Sequence, residues 1–143
     1  MESLLVILLI GGLCTYIGMG TLLEFHAFRQ VAARTDLAQV GRQLEGDYNG
    51  VPVVVAAEHR PGDGHHDEWT VVQARLAAPA DEALDAPVLE EVVEACKDRH
   101  PVVVVENDEL RAELPGGINR AGELIEVLDA VTECASRINR AAS

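Results

Sequence analysis

The densest grouping of side chains able to do chemistry is His59, Asp63, His65, His66, Asp67 and Glu68. Imidazole nitrogens and carboxylate oxygens together suit a transition metal, and His59, His65, His66 and Asp67 are the candidate ligands. A histidine pair beside carboxylates also titrates near neutrality. Against a metal site, Arg60-Pro61-Gly62-Asp63-Gly64 is turn chemistry. No His-Glu-x-x-His spacing fixes two ligands on one helix face. The competing reading is a solvated loop between two strands.

Cys96 and His100 are four apart, the spacing that would stack a thiol and an imidazole on one helix. A nucleophilic cysteine needs an exposed thiolate of lowered pKa and an orienting third group. Cys96 instead shares an apolar stripe with Leu89, Val92 and Val93, which reads as a buried structural thiol. The only serines are Ser3, Ser136 and Ser143, none within Gly-x-Ser-x-Gly. Pro115-Gly116-Gly117-Ile118-Asn119 ahead of a helix either offers amides to an anion or simply punctuates the chain. No catalytic residue and no cofactor is expected, so the chain reads as non-enzymatic.

These residues belong to a chain of 143, with 24 acidic against 11 basic residues and a net charge of -13. Such acidity argues against nucleic acid as a partner. Aromatics at 3% leave few platforms for base stacking, while 48% hydrophobic residues exclude a disordered chain. Lys97 is the sole lysine beside ten arginines, which suits either a high-salt cytoplasm or biased coding.

Residues 4–23 contain no charge and are long enough to cross a hydrocarbon core of about 30 Å. The preceding Met1-Glu2-Ser3 has no basic residue, and no small-x-small cleavage site follows, so the run reads as an uncleaved anchor. Arg29, Arg34 and Arg42 follow it closely, which by the positive-inside rule places the domain in the cytoplasm. Lone core thiols at Cys96 and Cys134 agree with that. The alternative is a Cys96–Cys134 disulfide on the outer side. Gly11, Cys14, Thr15 and Gly18 line one helix face with small residues, suited to packing on another membrane protein or a second copy. Self-association is expected to run through this helix, because two acidic domains repel.

The expected domains are 1–34, the transmembrane anchor and juxtamembrane helix, and 35–143, a small soluble domain. Phe25, Phe28, Val31 and Ala32 continue the helix beyond the anchor. Thr35-Asp36 opens a short helical turn that Gly41 closes. Asn49-Gly50 between Leu44–Tyr48 and Val51–Val55 predicts a hairpin with a type I′ turn. Trp69 to Leu76 is a third strand. Asp85 and Pro87 start a helix whose last turn carries Lys97, Arg99 and His100 before Pro101. Val102–Val105 and Glu109–Leu114 form a second hairpin around Asn107-Asp108. Asn119 caps a final helix with Leu124, Leu128, Val131 and Ile138 on one face. The fold class is α+β: an anchor followed by βββαββα, an antiparallel sheet with two helices on one face.

The stretches Gly46-Asp47-Tyr48-Asn49-Gly50-Val51-Pro52-Val53 and Val105-Glu106-Asn107-Asp108-Glu109-Leu110-Arg111 resemble prokaryotic proteins with a single-pass membrane anchor and a small α+β domain. The resemblance covers about residues 35–140 and implies the fold; it brings no catalytic residue and no activity. The expected function is a membrane-tethered, non-enzymatic domain contacting another protein as an accessory or scaffold component. The alternative is a membrane-anchored metal module or enzyme using the His59–Glu68 loop.

Overall fold

Six strands form one antiparallel sheet, and in the strand Glu109–Pro115 buried and half-exposed side chains alternate along the whole length. The computed structural model describes residues 26–60, 68–79 and 82–142. Helix α1 occupies residues 26–34. β1 (Ala38–Val40), β2 (Gln43–Tyr48), β3 (Val51–His59) and β4 (Glu68–Arg75) follow, then α2 (Glu82–Ala95). A 3-10 turn over Lys97–Arg99 leads to β5 (Val102–Glu106), β6 (Glu109–Pro115) and α3 (Ala121–Ala142). The strand order is β1-β2-β3-β4-β6-β5, so β6 inserts beside β4 and β5 takes the far edge.

The register puts Leu44, Val55, Val72, Ala112 and Val103 side by side across five strands on one face. Leu44, Val55, Val72 and Ala112 are fully buried. α3 lies over β3, β4 and β6, and α2 packs against both α3 and β5. Leu124, Leu128, Val131 and Ile138 supply the helical half of this core, as the 3.6-residue period predicts. Phe28 and Val31 of α1 join the same core, so the helix entering the domain is built into it.

The hairpin between β2 and β3 turns as its sequence demands. Asn49 (φ 51°) and Gly50 (φ 78°) both take positive φ, the type I′ geometry. Tyr48 donates its hydroxyl to Asp129 at 2.6 Å, and the Asn49 amide donates to Thr132 at 3.4 Å, which pins the turn to α3. Thr132 is fully buried, and its hydroxyl donates to the Leu128 carbonyl at 2.7 Å.

Three local expectations are corrected. Residues 38–40 form β1, not a helical turn. The Thr35 hydroxyl donates back to the Val31 carbonyl at 2.7 Å and accepts from the Leu37 N–H at 3.2 Å. Thr35 therefore closes α1 and redirects the chain instead of starting a helix. The strand needs Gly46 opposite it: a Cβ there would stand 3.3 Å from the Asp36 carbonyl oxygen, at a φ of 144°.

α2 begins at Glu82, ahead of Asp85, and holds Pro87 inside, where no N–H reaches the Ala83 carbonyl. It ends at Ala95, so Lys97 and Arg99 sit in the 3-10 turn and His100 takes φ 50° beyond it. The buried stripe centres on Val92 and Cys96, which leaves Val93 41% exposed at its margin. Finally, the Leu124 N–H bonds to the Arg120 carbonyl, which makes Arg120 the residue preceding α3 in place of Asn119.

The apolar run 4–23, with Gly11, Cys14, Thr15 and Gly18, lies outside the described residues. Among the described residues no helix is long and apolar enough to cross a membrane.

Candidate functional site

Helices cover one face of the sheet. On the other, the register lines up Val40, Gln43, Ala56, Val71, Glu113 and Val102 in one row. The next row reads Ala38, Glu45, Val54, Gln73, Arg111 and Val104. This face mixes valine with charge, whereas the covered face is mostly apolar, with Thr70 its one buried polar strand residue among those described.

At one end of the uncovered face, long side chains close over the sheet. The Arg60 guanidinium stacks 4.8 Å above the Trp69 ring. It donates to Glu58 at 2.7 Å and to Glu113 at 3.0 Å. Those hydrogen bonds, Glu113 first, hold the guanidinium pKa above its ordinary value. Arg111 adds looser ion pairs to Glu106 at 3.6 Å and Glu113 at 3.9 Å. Val71 lies beside Glu113 in this cluster and is only 2% exposed, although no helix among the described residues covers its face. Trp69, two residues along β4, shares its face, and long side chains of this kind can cover an apolar neighbour with their stems.

At the other end the face is open. A groove of about 450 Å³ runs over Pro52, Val54 and Gln73. Glu45, Asp47, Asp108 and Glu109 ring it, with Arg75 the single cation among its lining residues. β2, β3, β4 and the β5–β6 turn each contribute. The turn is held against the end of β4 by the Leu76 N–H donating to the Asp108 carbonyl at 2.6 Å. The rim attracts cationic side chains, and Pro52 and Val54 on the floor accept apolar ones.

A second groove, of about 600 Å³, lies between the 3-10 turn and the start of α3, lined by Cys96, Asp98, Arg99, His100, Glu123 and Glu126. An Arg99–Glu123 ion pair crosses it. Cys96 is nearly buried, and burial pushes its thiol pKa up, opposed by Arg99 and reinforced by Glu126. At neutral pH this sulfur is a thiol, the weaker nucleophile and the weaker metal ligand. Cys96 and His100 flank the 3-10 turn beyond the end of α2, so the stacking that four residues of one α-helix would give them is lost. No disulfide joins the buried Cys96 and Cys134.

Of the candidate metal ligands, His59 closes β3 and its Nδ1 lies 3.0 Å from Glu68 Oε1 at the start of β4. That pair brackets the loop. His65, His66 and Asp67, with Asp63, fall outside the described residues. Among the described residues no three histidine, cysteine or carboxylate groups converge on a cation position. Ile118 is buried at the entrance to α3, in the Pro115–Asn119 segment.

Sequence reasoning missed the Arg60–Trp69–Glu113 cluster and the acidic groove. One signal was present: Glu109, Arg111 and Glu113 alternate with Leu110, Ala112 and Leu114, which marks a charged face. Nothing local links that face to Arg60 or Glu45. No protein-family model, curated protein or solved structure matches the chain.

Proposed function

We propose that this protein is a membrane-tethered, non-enzymatic domain that contacts another protein through the uncovered face of its sheet. One observation carries the reading: no helix among the described residues covers that face, and it presents a groove floored by Pro52, Val54 and Gln73 and rimmed by Glu45, Asp47, Asp108 and Glu109. A partner surface with lysine or arginine beside an apolar side chain complements it. The charge-free run 4–23 is the tether, and the arginines that follow it favour a cytoplasmic domain. The resemblance to anchored α+β proteins of prokaryotes is consistent with an accessory or scaffold role.

The test is co-purification from detergent extract, comparing the native chain with Glu45→Lys plus Glu109→Lys. The partner retained by the native chain should be lost from the variant at an unchanged melting temperature. Retention of the same partner would remove the groove from the account. Protease protection in intact cells should leave the C-terminus uncut, and digestion from outside would reverse the topology.

A second reading rests on the 3.0 Å His59–Glu68 pair, which holds one candidate metal ligand, His59, beside a carboxylate at the mouth of the loop. It requires stoichiometric zinc that is lost with His65→Ala plus His66→Ala.

A further inference from the structure

A sheet that is not closed has two edges, and this one treats them differently. β1 offers three residues; β5 offers Val102-Val103-Val104-Val105-Glu106, with no lysine or proline within the strand. Short strands, lysines, prolines and bulges are the usual protection of an edge. Val102 and Val104 are 47% and 37% exposed on the uncovered face.

The hydrogen-bond parity of β5 follows from its neighbours. The Asp108 carbonyl and the Gly116 N–H both bond toward β4. Residues of β6 with that parity, Leu110, Ala112 and Leu114, therefore serve β4, while Glu109, Arg111 and Glu113 serve β5. Their register partners are Glu106, Val104 and Val102. The N–H and C=O groups of Val103 and Val105 consequently point away from the sheet. Among the described residues no backbone hydrogen bond from another element reaches them.

We propose that β5 pairs antiparallel with β5 of a second copy about a two-fold axis at Val104, joining two six-stranded sheets edge to edge. Pairing Val103 with Val105 of the second copy uses every outward N–H and C=O of both strands. Registers shifted by two residues bring Pro101, which lacks an N–H, or the Asn107 turn into the ladder. The chosen register sets Val104 against its own copy as a non-hydrogen-bonded pair, with Cα atoms about 4.5 Å apart. It continues the valine strip across the join. Charge agrees in sign: the strand leaves a turn where Lys97 and Arg99, both already ion-paired within the chain, outnumber Asp98, and ends at Glu106 and Asp108, so antiparallel pairing brings unlike ends together. Five residues make a small interface, so the pairing is weak in dilute solution. The inference does not rest on the groove or on the tether. It gives the domain a contact of its own, beyond the anchor face of Gly11, Cys14, Thr15 and Gly18.

The experiment uses the full chain in detergent, with Cys14→Ala to remove the thiol of the charge-free run. Val104→Cys should form an intermolecular disulfide under mild oxidation, because the paired Cα separation suits one. Val102→Cys should not, since its cross-strand neighbour is Glu106. Equal cross-linking at both positions, or at neither, would overturn the register. Amide exchange on the otherwise native chain supplies a readout without a disulfide. The Val103 and Val105 amides should slow by about tenfold or more as concentration rises, while Val102 and Val104 stay protected throughout. Val104→Lys, which places like charges opposite one another, should abolish that dependence. Val103 and Val105 amides exchanging fast at every concentration would refute the pairing.

Discussion

Val71 and Val72 are sequence neighbours, both almost fully buried, yet they are buried by different means. Val72 faces the helices and packs among Val55, Ala112 and the core. Val71 faces the other way, under Arg60, Trp69 and Glu113. The covered face is held by apolar side chains with nowhere to go. The uncovered face is held by long polar side chains whose guanidinium and carboxylates keep partial access to water. The first arrangement fixes the fold. The second leaves a surface that can trade its contacts with itself for contacts with a partner.

The largest expected effect lies on the covered face. Leu128→Asp places a lone carboxylate in the core at a cost of several kcal/mol, comparable to a whole stability of roughly 5–15 kcal/mol. Circular dichroism should show no cooperative melt. A native-like melt would mean that α3 does not pack as described.

Next comes the pair itself. Val72→Ala should destabilise by about 2 kcal/mol, whereas Val71→Ala should cost about half as much, because flexible side chains collapse into its space. Equal losses in denaturant titrations would show that the two faces are equally rigid.

Arg60→Ala is expected to cost only about 1 kcal/mol, since its ion pairs and ring contact are partly solvated. That loss should shrink in high salt, which the Val72→Ala loss should not do.

The smallest effect concerns pH. Burial, reinforced by the hydrogen bond to Asp129 and that carboxylate's charge, pushes the Tyr48 pKa up to about 12 from an ordinary 10. The unfolded chain therefore loses this proton first as pH rises. The Tyr48 contribution to stability is intact below pH 10 and disappears between about pH 10 and 12. Tyr48→Phe should flatten that part of the stability curve, and an unchanged curve would dissociate Tyr48 from Asp129.

Much of the fold was legible because its signals are local. Asn49-Gly50 dictates a turn by backbone sterics alone, and the spacing of Leu124, Leu128, Val131 and Ile138 needs only a helix to produce a face. β1 was misread because Thr35-Asp36 has the chemistry of a helix start, and only the preceding turn, starting at Val31, decides that Thr35 caps backward. α2 was misjudged at both ends because a packed helix tolerates Pro87 and stops before its basic residues. The groove was not legible at all. Glu45, Val54, Gln73 and Glu109 are separated in sequence and become neighbours only through a strand order in which β6 inserts between β4 and β5.

The account turns on which face meets a partner, and photo-crosslinking in intact cells asks this directly. A photoreactive residue would replace Gln73, on the floor of the groove, in one protein and Glu133, on the solvent side of α3, in another. The account predicts a discrete protein adduct from position 73, lost when Glu45→Lys plus Glu109→Lys is added, and none from position 133. An adduct from position 133 with none from 73 would contradict it.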